Sequence, residues 1–218
     1  TTDAVPRQNL LLSKSGFNSI SLASVANCRL DGSSSETSLM CMGSAKSLKN
    51  LPRKINLGKI PFEIATGEKS CLGLNSIHVK GASRPDAVDI KLGGKKYEAL
   101  AFLHVCAWAP GNNGAPLLRY TMNYENLQMA STCVENGVTL VDWWKRLDGK
   151  EKRKLDKNNA WQAWTGDCGD GHDVCVYAYV WKNPQPDARI SSLTISVADP
   201  DKKALVGVIA INGLEKKK

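Results

Sequence analysis

The stretch VCVYAYVW, residues 174–181, admits few folds. In an extended chain, alternate side chains point to opposite faces. Val174, Val176, Ala178 and Val180 therefore line one face, and Cys175, Tyr177, Tyr179 and Trp181 line the other. Both faces are apolar, so both need cover, which predicts a central strand. Its aromatic side must meet either a second sheet or a ligand.

The rest of the chain repeats the theme in shorter form. FNSISLASVAN (17–27), IPFEIA (60–65), NSIHVKG (75–81), YEALAFLHVCAWA (97–109) and LLRYTMNYEN (117–126) read as strands, as do GVTLVDWW (137–144), RISSLTISVA (189–198) and LVGVIAI (205–211). Gly, Asn, Asp and Pro separate these runs, and no long stretch carries the period of an amphipathic helix. The pattern predicts an all-β fold, an antiparallel β-sandwich or a barrel. The polar segment 145–163, including Trp161, reads as loop. With 218 residues and no repeat or linker, the expectation is a single β-sandwich domain over 1–218 with a core of about 17–212.

Charge narrows the partners. The formal net charge is +8, but the run KRLDGKEKRKLDK (145–157) carries +4 of it and the terminal EKKK another +2. A nucleic-acid footprint would spread basic residues over a face and interleave them with aromatics, which this chain does not do. A solvated loop, or a loop that meets a sulfated or carboxylated polymer, fits better. LVGVIAI is far too short to cross a bilayer as a helix. TTDAVPRQN has no leader character, so an exported location would require a signal already removed.

The titratable residues give little sign of catalysis. The seven cysteines form no C-x-x-C pair, and the odd number leaves at least one thiol unpaired. His78, His104 and His172 lie in no G-x-S-x-G or H-E-x-x-H context. His104, inside FLHVC, reads as a core histidine. The densest cluster is DCGDGHDVC (167–175). Its simplest reading is a polar turn whose glycines take positive φ, with Cys168 and Cys175 close enough in sequence to form a disulfide. A calcium reading uses Asp167, Asp170 and Asp173 as oxygen ligands, although the spacing is not that of a helix–loop–helix calcium loop. Zinc through Cys168, His172 and Cys175 would lack a fourth ligand.

Several pieces, in order, resemble the galactose-binding-like β-sandwich carbohydrate-binding modules appended to polysaccharide-degrading enzymes. They are INLGKIPFEI, YEALAFLHVCAWA, LLRYTMNYEN, VTLVDWW, AWQAWTG and VYAYVWKNPQPDARISSLTIS, spread over roughly residues 17–212. One departure is Leu127, which follows NYEN where such domains would carry glycine. The resemblance implies a jelly-roll-like sandwich without catalytic residues, secreted or periplasmic, attached to a larger enzyme chain. It also implies ligands held on loops at one end, and often a structural calcium ion.

Sugar binding needs an aromatic plane for C–H bonds and fixed polar groups for hydroxyls. The candidates are Trp108 beside the APGNNGAP loop, one member of the Trp143–Trp144 pair, Trp161 and Trp164, with Asp142, Arg146, Asn158, Asn159 and Gln162 as polar partners. The ligand expected is a polysaccharide or oligosaccharide, anionic if the 145–157 run borders the site. Two alternatives stand beside this: a glycosidase or lyase acting through carboxylates or tyrosine, and an adhesion sandwich that contacts protein.

Overall fold

The structure is a computed structural model that describes residues 14–32, 34, 36–42, 47–81, 83–146, 155, 159–167 and 172–216, without the side chains of 145 and 146. Its regular elements are strands: β1 (Phe17–Ile20), β2 (Lys54–Leu57), β3 (Ile60–Glu63), β4 (Leu72–Gly73), β5 (Ala87–Lys95), β6 (Tyr97–Ala107), β7 (Pro116–Tyr124), β8 (Met129–Glu135), β9 (Trp144–Arg146), β10 (Ala160–Asp167), β11 (His172–Lys182), β12 (Ile190–Val197) and β13 (Leu205–Glu215). One sheet runs β1-β13-β6-β11-β10, with β4 on β13 and β9 on β11. A second runs β5-β12-β7-β8, and β2-β3 forms a separate hairpin. Pairing between these strands is antiparallel throughout. The chain is all-β and its sheets pack as a sandwich.

β11 has cover on both faces, and the second sheet, rather than a ligand, lies over its aromatic side. Cys175, Tyr177, Tyr179 and Trp181 join one core with Tyr120, Met122, Leu193 and Ile195 of the four-stranded sheet. Phe102 of β6 stacks on Tyr120 of β7 with ring centroids 3.7 Å apart and 10° between planes. The opposite face carries small residues, among them Ala99, Ala101, Val105 and Ala107 of β6 and Val174, Val176 and Ala178 of β11. Against it pack Leu39, Met40, Leu48, Ile60 and Phe62 from the N-terminal part of the chain. That segment is a third layer that the alternation pattern had not separated from the sandwich.

Several expected strands are not regular. Residues 75–81 turn rather than extend, with Val79 N–H donating to Ser76 O at 3.0 Å and Asn75 N–H to Pro85 O at 2.9 Å. Within 137–144 only the last residue enters a strand. Conversely β10 is a strand where loop was expected: its polar residues sit on an edge that needs burial on one side only. β5 and β8, the edges of the second sheet, also went unread: MASTCVE is mostly polar, and the alternation of Val88, Ile90 and Leu92 in AVDIKLGGK is short and runs into two glycines. At the β7–β8 turn Leu127 is 94% exposed and takes φ 67°, the left-handed conformation for which glycine was expected. A leucine there costs about 1–2 kcal/mol relative to an ordinary backbone position.

His104 sits fully buried between the sheets, its Nδ1 3.0 Å from the Tyr120 hydroxyl. Burial lowers its pKa to about 3, with a Thr139 backbone group opposing weakly. The unfolded chain therefore binds a proton that the folded chain does not, between the ordinary histidine value of about 6.5 and the folded one. Stability should be full above that upper limit and fall by up to about 1.4 kcal/mol per pH unit as acid is added through the window. Urea titrations from pH 7 to 3 should show this slope flattened in His104→Gln.

Close approach of the third layer depends on Gly207 in β13. A Cβ at that position would lie 2.5 Å from Leu39 Cδ1 and 3.0 Å from its Cγ. Gly207→Ala should cost about 1–3 kcal/mol by overpacking, and Leu39→Ala about 2–5 kcal/mol by leaving a cavity. The double variant should lose clearly less than the sum in a denaturant double-mutant cycle; strict additivity would refute the contact as the cause.

Candidate functional site

Because β6 and β13 are antiparallel, the end of β6 and the start of β13 meet at one end of the large sheet, with the start of β11 and the end of β10 beside them. Trp108 follows directly on β6 at this end. It is the one exposed tryptophan among the described residues, at 37%, and its φ of 52° is a conformation that bulky residues avoid. Its ring stacks on His78, centroids 4.1 Å apart and planes 19° from parallel. The stack holds the indole in place and turns it outward.

Asp142 fixes the surrounding backbone. Its Oδ1 accepts from Trp144 N–H at 3.0 Å and its Oδ2 from Ala109 N–H at 3.3 Å, so one carboxylate ties the loop after Trp108 to β9. Between them Trp143 N–H donates to Cys106 O at 2.7 Å, and Trp143 O accepts from Cys175 N–H at 2.8 Å. This wedges residue 143 between β6 and β11. The two neighbouring indoles pack against the same core at different depths: Trp143 is fully buried, whereas Trp144 is half-buried. Trp144 meets Trp143 edge-on at 6.1 Å and the His172 ring at 4.9 Å and 70°.

The other expected residues divide between this end and elsewhere. Asp167 and Asp173 are register partners across β10 and β11, and Arg146 is the register partner of His172, all at the Trp108 end. Trp161 is 9% exposed and belongs to the core against the N-terminal layer, so it offers no open ring face, contrary to the expectation for it. Of the Trp143–Trp144 pair, Trp143 is the core member and Trp144 the more exposed one. Trp164 is half-buried, and its ring lies over its own strand, 2.2 Å from where a Cβ on Gly166 would stand. Asn159 Nδ2 donates to Val180 O at 2.8 Å, near the far end of β10, and Gln162 bonds the Thr165 hydroxyl; both are occupied in holding β10. Asn158 lies outside the described residues.

The DCGDGHDVC stretch is described only at its two ends. Cys168 and Asp170 lie outside the described residues, so neither the Cys168–Cys175 pairing nor the three-aspartate calcium site is built here. Cys175 is buried and faces the intersheet core. Among the described residues no group of three or more His, Cys, Asp or Glu side chains is arranged to hold a metal ion. Asp167 and Asp173 stand opposite each other on adjacent strand ends, and the third candidate ligand, Asp170, lies outside the described residues. His78 and Ile77 were not read as site residues, because His78 reaches Trp108 only through the turn of 75–81.

Comparison with protein-family models, with curated proteins and with solved structures returned no match. Among the described residues no helix is long and apolar enough to cross a membrane.

Truncating Asp142 to alanine removes the acceptor of two backbone donors. Asp142→Ala should lower stability by about 1–3 kcal/mol and alter the near-ultraviolet circular dichroism of the tryptophans. Unchanged spectra and stability would remove Asp142 from its role as the pin of this end.

Proposed function

We propose that the chain is a non-catalytic carbohydrate-binding module that docks on a polysaccharide through the Trp108 end of the sandwich. One observation carries this reading: an exposed indole held rigid at a strained backbone position, backed by a parallel imidazole. A rigid aromatic plane binds the C–H face of a sugar ring with little loss of side-chain entropy. The Gly/Asn loop 111–114, exposed beside it, supplies amides for hydroxyl groups. Trp144 borders the platform rather than forming it.

An anionic ligand is favoured because the basic run begins in β9, at the same end. Binding to a uronic or sulfated polymer should then weaken as salt is raised, and binding indifferent to salt would argue for a neutral glycan. The histidines support a binding rather than a catalytic role. His104 is sealed in the core, and His78 and His172 pack against tryptophans. A structural calcium ion at Asp167, Asp170 and Asp173 belongs to the same reading and rests on the resemblance. Secretion and attachment to an enzyme chain belong to the same reading and rest on the resemblance.

A protein-contact reading has one observation in its favour, the 60% exposure of Ile77 next to His78. Affinity electrophoresis in gels containing neutral, uronic or sulfated polysaccharides separates the two. We expect retardation by at least one polymer, reduced about tenfold or more in Trp108→Ala, or ~1.4 kcal/mol, with the thermal midpoint little changed. No retardation by any polymer, or retardation untouched by Trp108→Ala, would overturn the sugar platform.

A further inference from the structure

Cys28 and Cys71 face each other in the N-terminal layer. They are direct antiparallel partners in an isolated bridge, with Cys28 N–H donating to Cys71 O at 3.1 Å and Cys71 N–H donating to Cys28 O at 3.2 Å. Hydrogen-bonded partners of this kind stand about 5.5 Å apart at Cα, inside the range that a disulfide spans. Their side chains share one face. Cys71 Sγ reaches back to Cys28 O at 3.3 Å. Cys28 Sγ lies over Gly73, two residues beyond Cys71 and so on the same side of that strand; a Cβ at position 73 would stand 2.6 Å from this sulfur.

We propose that Cys28 and Cys71 close a cross-strand disulfide when the chain folds in a thiol-oxidising environment. The backbone pairing is already made, and the sulfurs approach by a change of side-chain rotamer together with a small inward shift of the two strands. The bond would close a loop between residues 43 apart in sequence. That loop holds most of the third layer, whose strands among the described residues are those of the β2-β3 hairpin. A layer held mainly by side-chain burial gains most from a covalent closure that restricts its unfolded states. This inference is independent of the sugar-binding reading.

With a small-molecule disulfide such as oxidised glutathione as the oxidant, the thiolate of one cysteine attacks a glutathione sulfur and expels one glutathione thiolate. The second cysteine then attacks the mixed disulfide and expels the other glutathione. Two thiol protons pass to solvent, and two electrons pass to the oxidant. In the packed protein both sulfurs are out of reach, at 1% and 0% exposure. Burial also pushes both thiols up from the ordinary cysteine value, most of all Cys71, with Arg84 opposing. The exchange therefore belongs to folding or to opening of the layer.

Cys41 is the nearest rival. Its sulfur accepts from Arg84 Nη2 at 3.2 Å, while the same buried guanidinium donates to Ser38 O at 2.7 Å and to Leu39 O at 2.9 Å. Arg84 Nη1, like Cys28 Sγ, lies 2.6 Å from where a Gly73 Cβ would stand. Cys41 has φ 54° and its sulfur is engaged with Arg84, whereas Cys71 is joined to Cys28 through the backbone. The pairing geometry selects Cys71.

The test is oxidative refolding of the full chain in a glutathione redox buffer, alkylation of remaining thiols, and non-reducing peptide mapping by mass spectrometry. The expected result is a Cys28–Cys71 linked peptide, retained in Cys41→Ala. The thermal midpoint should also rise by several degrees over the reduced protein, and Cys28→Ala/Cys71→Ala should abolish the rise. Finding both cysteines alkylated, or Cys28 joined to Cys41, would overturn the proposal. The map of the unsubstituted chain decides the matter even if the double variant fails to fold.

Discussion

The fold depends on one sheet being covered on both faces. The β6 and β11 strands place their aromatic residues toward the four-stranded sheet and mostly small ones toward the N-terminal layer. The large side supplies the interlocking rings, with Phe102, Tyr120, His104 and Tyr179 stacked nearly parallel across the interface. The small side lets irregular backbone come close, as where Leu39 occupies the space above Gly207. Burying a histidine neutral in the first interface is tolerable because its Nδ1 meets a tyrosine hydroxyl.

The candidate site follows from where that sheet ends. The ends of β6 and β10 and the starts of β11 and β13 converge there, and the strands fix the position of the segment that follows β6. Trp108 has the strained conformation of a residue whose surroundings over-determine it: Ala107 is held in the β6–β13 ladder, Ala109 by Asp142, and the ring by His78. Asp142 resembled a hydroxyl-binding carboxylate in the sequence, but it is engaged with backbone N–H groups. Polar residues near a site are often there to shape it rather than to touch a ligand.

Much of the fold was legible because strand alternation is a local signal. VCVYAYVW placed every residue on its correct face. The edge strand β8 was not legible, since an edge can be polar and still pair, and β5 was passed over although Val88, Ile90 and Leu92 alternate in it. For the candidate site, the sequence offered the tryptophans as a set, but Trp108, Trp144 and Trp161 differ in exposure for reasons that lie in packing partners far along the chain.

By itself, then, the sequence determined the all-β class, the antiparallel strands and the two-faced nature of β11, because these depend on residues two apart. Only the tertiary structure decided which tryptophan faces water, that the N-terminal segment forms a third layer, and that Cys28 meets Cys71. Those outcomes depend on contacts between residues tens of positions apart. No spacing rule encodes such contacts, and the packing of a covered sheet selects among them.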